Sequence, residues 1–294
     1  MANLKEIRTR IASVSSTQQI TSAMKMVSAS KLRKSQNAIM KLRPYSSKMT
    51  DIINNLCSSE VEDMPLARQG QVDNVLLIVL TSNKGLCSSF NSNIIKAAMQ
   101  RVAFWQKQDK YIKIDLMSYG KRGSDFFKKQ TSFDYVGDND EIWDNLTFDK
   151  VAEIADFLIQ SFIDKKYDKV EIIYNQFKNA GTQILQCEEY LPITLNSFEE
   201  SSEAKKNDYI YEPNKEEIIS SIIPQSLKMQ LFKCFLDSFA SEHGARMTSM
   251  HKATDNANNL LKELKLTYNK ARQTAITNEI IEICSGAEAL NSMV

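Results

Sequence analysis

The amino-acid sequence predicts an α/β protein with a long coiled coil: N- and C-terminal helices paired antiparallel, with a central Rossmann-like α/β domain. Three observations carry this expectation. Glycine and proline are scarce, eight and five in 294 residues, and long helices need few breakers. Both ends of the chain place apolar residues at alternating steps of three and four, which gives a helix one buried stripe. Between the ends, β-rich runs alternate with helical ones, the pattern of a mostly parallel sheet covered on both faces.

The first domain is expected over residues 1–57. No glycine or proline interrupts Asn3 to Arg43. Leu4, Ile7, Ile11 and Val14 form the stripe of an amphipathic helix, and Ile20, Met24 and Val27 are expected to continue it. Serine and threonine crowd the same stretch, so intrinsic helix propensity is modest and packing must hold the helix. Pro44 is a candidate kink. Met49, Ile52, Ile53 and Leu56 indicate that the helix resumes, and a breaker zone from Ser58 to Gly70 ends it.

The second domain is expected over residues 72–195. Val72–Thr81 reads as a buried strand, Ser82-Asn83-Lys84-Gly85 as a turn, and Asn91–Gln106 as a helix. Lys110–Met117 alternates like a strand, and a short helix Lys121–Lys129 follows Gly120. Phe148–Lys165 carries the stripe Val151, Ile154, Ala155, Leu158, Ile159 and Phe162. Val170–Tyr174 and roughly residues 183–195 complete the strands, and the polar residues 196–208 read as a loop.

The third domain is expected over residues 214–294, where no proline follows Pro224. Ala257, Leu261, Leu264, Tyr268, Ala271 and Ala275 step by four and three. A second series, Ile276, Ile280, Ile283, Ala287 and Leu290, does the same after a slip of one residue. Steps averaging 3.5 specify a coiled-coil seam. Some 70 residues of helix span roughly 105 Å, and the N-terminal helix is the partner long enough to line it.

Composition narrows the function. Charged residues make up 25% and hydrophobic ones 43%, as in a globular chain. The net charge of +1 hides a split: residues 1–50 carry ten Lys/Arg against one Glu, residues 51–213 are net −8, and residues 214–294 are neutral. A +9 helix needs an acidic partner, a polyanion or solvent. Nucleic acid is not expected, because Tyr45 is the single aromatic of residues 1–50 and the basic residues share their helix with a core-facing stripe. The longest apolar run, Val75–Leu80, falls far short of the ~20 residues of a spanning helix. With no signal or transit leader in view, the expectation is a peripheral protein on the cytoplasmic side, without membrane insertion. Five cysteines in no C-x-x-C spacing suggest free thiols rather than disulfides or zinc.

No active site assembles from these motifs. The turns at Ser82–Cys87 and Gly120–Gly123 each join a strand to a helix, where phosphate loops sit. Neither has a phosphate-loop glycine pattern. His243 and His251 are eight residues apart with no metal-ligand spacing, and Asp138-Asn139-Asp140-Glu141 reads as a solvated acidic loop rather than a calcium site. Cys87 has no histidine close by in sequence. No cofactor, metal or catalytic residue is expected. A nucleotide-binding α/β enzyme with helical flanks is the competing possibility, and it requires a ligand pocket.

Three blocks of sequence resemble a known family in the right order. They are Ile7-Arg8-Thr9-Arg10-Ile11-Ala12-Ser13-Val14 with Ala23-Met24-Lys25-Met26-Val27-Ser28-Ala29-Ser30-Lys31-Leu32; Asn83-Lys84-Gly85-Leu86-Cys87 with Phe90-Asn91; and Ala253-Thr254-Asp255-Asn256-Ala257 with Tyr268-Asn269-Lys270-Ala271-Arg272-Gln273. Together they resemble the gamma subunits of rotary proton-translocating ATP synthases of bacterial type. The chain departs from that pattern at Asn83, Lys84 and Ser88, where the family usually has an acidic residue, arginine and glycine. The resemblance implies a non-catalytic rotor that couples proton flow to ATP synthesis or hydrolysis. Its partners would be the alpha and beta subunits of the catalytic head, the epsilon subunit and the c-subunit ring. It further implies that Met24, Lys25, Lys31, Arg33 and Lys34 face acidic lever loops of beta. Arg272 and Gln273 would contact a beta subunit higher in the ring, and Lys84 the lower surface of the head.

Overall fold

The computed structural model describes residues 4–56, 65–68, 70–193 and 215–291. It divides into two compact units, Ser28–Arg246 and Met1–Val27 with Met247–Val294. Two helices contribute to both: α1, Leu4–Leu56, and α5, Lys215–Asn291. The expected loop at 196–208 and Cys57 lie outside the described residues. The four described cysteines are unpaired.

The unit Ser28–Arg246 is built on a five-stranded sheet. Strands β1 (Asn74–Leu80), β2 (Lys113–Tyr119), β3 (Asp134–Asp138) and β4 (Lys169–Asn179) run parallel, and β5 (Thr182–Leu191) is antiparallel to β4. Their order is β3-β2-β1-β4-β5. Helices α2 (Phe90–Gln108), α3 (Lys121–Phe127) and α4 (Phe148–Ile163) cover the faces. The central strand β1 explains both cores, because successive side chains point to opposite faces. Leu76, Ile78 and Leu80 pack with Val151, Leu158 and Phe162 of α4 and Leu231 and Phe235 of α5. Val75, Leu77 and Val79 pack with Ile94, Ala98 and Val102 of α2.

Three expectations need correction. Strand β3 was not foreseen: it is short and edge-placed, and its residues alternate between exposed and half-buried, so it has no apolar run to betray it. The segment 138–141 is solvated at Asp138, Asn139 and Glu141, as expected, but it is not a free loop. Asp138 ends β3, Asp140–Trp143 forms a 3-10 turn with Ile142 and Trp143 buried, and Asp140 is tied down on three sides. Its Oδ1 accepts from Gly120 N at 3.1 Å and Ser124 Oγ at 3.2 Å, and its carbonyl accepts from Asn83 Nδ2 at 2.7 Å. Pro44 and Pro224 both lie inside continuous helices.

The third correction concerns the other unit, Met1–Val27 with Met247–Val294. Thr254 Oγ1 donates to Thr21 Oγ1 at 2.9 Å, and Lys25 Nζ lies 3.3 Å from His251 Nδ1. Numbers rise along α1 as they fall along α5, so the helices here are antiparallel. The inward positions of α1 are Leu4, Ile7, Ile11, Val14, Gln18, Thr21 and Lys25, all buried or half-buried. The 3.5-residue register is therefore unbroken while its chemistry changes from apolar to polar. Ile20 and Val27 do not continue the stripe: they are 60% and 58% exposed, lying off the register. On α5, Ala257, Leu261, Leu264, Tyr268, Ala271 and Ala275 are all buried or half-buried, as their spacing predicts. Ile276, Ile280 and Ile283 are exposed, the last at 72%. One-for-one stepping from the 21–254 and 25–251 pairs brings Leu4 level with Ala271, so these isoleucines lie past the last described turn of α1.

Cysteines at Thr21 and Thr254 test the register. Their hydroxyls already touch, so the double variant Thr21→Cys, Thr254→Cys should form an intrachain disulfide on mild oxidation. Non-reducing electrophoresis with peptide mapping should show a linked monomer; exclusively inter-chain products would refute the pairing.

Candidate functional site

Strand β1 leads into a tight loop, Thr81–Ser89, at the carboxyl end of the sheet. The loop is fixed from within. Ser82 N donates to Asn91 Oδ1 at 3.0 Å, Ser82 Oγ donates to the Lys84 carbonyl at 2.8 Å, and Asn91 Nδ2 donates to Ser82 Oγ at 2.8 Å. Leu86 and Ser88 adopt φ values of 62° and 55°, a left-handed conformation that non-glycine residues hold only under constraint. The effect is to present the Lys84 and Gly85 carbonyls to α5.

Arg246 of α5 takes both. Its Nη2 donates to Lys84 O at 2.6 Å and its Nε to Gly85 O at 3.2 Å. The third nitrogen, Nη1, lies 2.7 Å from Glu242 Oε1 and 3.3 Å from His243 Nδ1. Arg246, Glu242 and His243 are all buried. His243 packs edge-on to Phe239, with ring centroids 4.4 Å apart. Because Nδ1 faces a guanidinium, which only donates, the ring carries its proton on Nε2, which has no hydrogen-bond partner. Burial, and then the Arg246 and Lys31 charges, push the His243 pKa down to about 3. Burial raises the Glu242 pKa, while Arg246, Lys31 and Lys84 act to lower it.

The location matters because the order of strands reverses between β1 and β4. In an open α/β sheet, the crevice at that point, outside the carboxyl ends of the strands, is where ligands bind. Here α5 fills it. Arg246 closes the β1 side. On the other side a Cβ at Gly244 would stand 3.3 Å from Ala180 Cα and 3.4 Å from Phe177 Cε2, so the helix already touches the β4–β5 hairpin. The loop offers carbonyl oxygens, which suit a cation, whereas phosphate loops offer backbone N–H groups.

The second strand-to-helix turn is occupied in the same way. Gly120 has φ 122°, and a Cβ there would stand 2.2 Å from the Thr81 carbonyl oxygen, so only glycine fits. The amides that open α3 are all engaged by protein: Lys121 N to Asn83 Oδ1 at 3.0 Å, Arg122 N to Ser82 O at 3.1 Å, and Gly123 N to Thr81 Oγ1 at 3.0 Å. Cys87 is buried, and burial raises its pKa, so it is a poor nucleophile. Among the described residues no group of His, Cys, Asp and Glu could hold a metal ion.

The residues singled out from sequence occupy two settings. In the unit Ser28–Arg246, the Lys84 side chain is exposed even as its carbonyl binds Arg246. Lys31 is exposed with Nζ 6.0 Å from the centre of the Phe239 ring, and Arg33 and Lys34 face solvent. Lys31 and Lys84 both act on Glu242, the one convergence among them. In the other unit Met24 and Lys25 are half-buried, and Arg272 and Gln273 are exposed beside the half-buried Ala271 and Ala275. Sequence reasoning gave Glu242, His243 and Arg246 no role. The signal was present, since Glu242 and Arg246 are four apart and such residues neighbour on a helix, but nothing in the spacing says the pair is buried.

Comparison with known proteins is consistent across three kinds of evidence. A family model described as ATP synthase matches residues 3–290. The ATP synthase gamma chain of Flavobacterium johnsoniae is 55% identical over 293 residues, covering 99% of this chain and 100% of the relative. That of Christiangramia forsetii is 55% identical over 294 residues, with the same coverage. Among solved structures, the chain resembles one in the central stalk and c-ring of Tetrahymena thermophila mitochondrial ATP synthase, with TM-score 0.58 and 26% identity, covering 80% of this chain and 99% of that one. A chain of the Euglena gracilis mitochondrial OSCP/F1/c-ring assembly matches its fold with TM-score 0.64 at 19% identity, covering 98% and 95%.

The buried histidine sets a pH dependence. The folded-state pKa lies below the ordinary value of 6.5, so its contribution to stability is complete above 6.5 and is lost as pH falls toward 3. Glu242 runs the other way: with its folded pKa raised, its contribution is lost as pH rises through that value. Between pH 7 and pH 5 wild type should lose about 2 kcal/mol more unfolding free energy than His243→Gln, read by denaturant titration. Equal losses would show that His243 protonates freely in the folded chain.

Proposed function

The chain belongs to the ATP synthase gamma-chain family, and we propose that it is the non-catalytic central-stalk rotor of a bacterial ATP synthase, peripheral on the cytoplasmic face of the membrane. The observation that carries the non-catalytic part is the filled crevice: α5 and Arg246 occupy the place where a Rossmann-like sheet takes a nucleotide. A nucleotide-binding enzyme, the competing possibility, has no pocket left at that point. Chemistry then belongs to the beta subunits, and this chain supplies work by biasing their conformations. A rotor shifts an equilibrium only through contacts that differ between states, so its surface must be asymmetric. The charges supply this, since residues 1–50 are net +9 and residues 214–294 are neutral.

The proposed contacts follow. Met24, Lys25, Lys31, Arg33 and Lys34 meet acidic loops of beta, Lys84 meets the lower surface of the head, and Arg272 and Gln273 meet a beta subunit. The exposed Ile276, Ile280, Ile281 and Ile283 form an apolar surface that calls for a cover, here the inner wall of the alpha–beta ring. Residues 1–57 and 214–294 thus serve as the shaft, and 72–195 as the platform toward epsilon and the c-ring. Among the described residues no helix is long and apolar enough to cross a membrane.

Two measurements test the proposal. Calorimetry of the pure chain with Mg-ATP should show no binding at micromolar concentrations, and a micromolar affinity would overturn the non-catalytic assignment. Gln273 is exposed and its side chain bears on no core. Gln273→Ala should therefore leave the melting temperature of the free chain unchanged while slowing ATPase of the reconstituted head or weakening assembly, an effect of about 1–3 kcal/mol at the step where the contact forms. Wild-type turnover and assembly in that variant would remove Gln273 from the interface.

A further inference from the structure

We infer that His251 is a positioning residue for Lys25: its unprotonated ring holds the Lys25 ammonium across the coil, and a proton on the ring releases it. The inference rests on the assignment of Lys25 as a contact to an acidic neighbour. The geometry is specific. His251 Nδ1 lies 3.3 Å from Lys25 Nζ and 3.4 Å from Asp255 Oδ2. An ammonium can only donate and a carboxylate can only accept, so one nitrogen cannot serve both at once. Without its proton Nδ1 accepts from Lys25, linking α5 to α1. With a proton it donates to Asp255, one turn along its own helix, and Lys25 loses its acceptor.

Position gives this exchange its reach. Lys25 stands on the seam register of α1 and is half-buried, so where its ammonium points depends on what the opposite helix offers. The charged groups facing the ring are Lys25 from α1 and Asp255 from α5, and the adjacent Lys252 is exposed. Asp255 is exposed, Lys25 is half-buried, and both distances are long, so a proton suffices to decide between them. A proton on the ring therefore decides whether Lys25 is held across the coil or presented to a neighbouring carboxylate. Protonation frees one cation and adds charge beside it, so contact with an acidic loop strengthens as pH falls.

The exchange is visible in the free, full-length chain. The sequence has two histidines, and His243, with its pKa held to about 3, stays neutral from pH 5 to 8, leaving one ring to follow by nitrogen NMR. The neutral ring should be the Nε2–H tautomer. Lys25→Met should shift the neutral ring toward the Nδ1–H form, which donates to Asp255, while Asp255→Asn should keep it Nε2–H. If Lys25→Met leaves the tautomer balance unchanged, the inference is overturned. In the reconstituted head, His251→Gln keeps an acceptor toward Lys25 at every pH, so its ATPase should match wild type at pH 8 and diverge from it at pH 6. A ratio independent of pH also overturns the positioning role. The NMR readout needs no other subunit, so it fails separately from the contact assignment, which falls if Lys25→Glu turns over at the wild-type rate in the head at pH 8.

Discussion

The guanidinium of Arg246 organises the unit Ser28–Arg246. A cation taken out of water is costly unless every donor finds an acceptor, and here the acceptors come from two elements far apart in sequence, the Lys84–Gly85 loop and Glu242 and His243 of α5. Each depends on the others. The loop keeps its left-handed Leu86 and Ser88 while its carbonyls are engaged, α5 cannot slide along its axis without orphaning the guanidinium, and Glu242 tolerates burial because Arg246 lies beside it. The same contacts fill the crevice where the strand order reverses, so one set of bonds both occupies that point and fastens the helix to the sheet.

The two units rest on different physics. Ser28–Arg246 has a conventional pair of hydrophobic cores, one on each face of a central strand buried along its length. The coil of Met1–Val27 with Met247–Val294 has a narrow seam with Gln18, Thr21 and Lys25 at inward positions and isoleucines facing out. Hydrophobic burial drives the first unit to fold. The second combines an apolar half-seam, Leu4 to Val14 on α1 and Ala257 to Ala275 on α5, with polar pairs at Thr21 and Lys25, and its exposed apolar residues are suited to contact with something else.

This difference decides what could be read from sequence. Strand β1 and helices α2 and α4 were legible because burial imposes an apolar period on them. The 257–275 seam was legible for the same reason. On α1 the stripe was legible from Leu4 to Val14 and then lost: the register runs on through Gln18 and Thr21, while Ile20 and Val27 offer a convincing but misplaced continuation. Strand β3 was missed because an edge strand that pairs by its backbone needs no apolar side chains. At the site, the two turns lack a phosphate-loop glycine pattern, and the amides that open α3 are engaged by protein groups. The loop's grip on Arg246 was invisible, because it runs through carbonyls that every residue possesses. The proposed contacts at Arg272 and Gln273 rest on family resemblance alone, since an exposed polar side chain carries no local mark of its partner.

Thr21 and Thr254 touch across 233 residues of sequence. During synthesis at ordinary rates of 5–20 residues per second, the N-terminal helix waits roughly ten to fifty seconds for the segment it will pair with. A seam filled with leucine would pass that interval as an open hydrophobic stripe, prone to capture by other nascent chains. A seam that turns to glutamine, threonine and lysine, on a segment whose like charges repel its own copies, can wait in water. Past Val14, the polar filling thus leaves less apolar surface open on the unpaired helix.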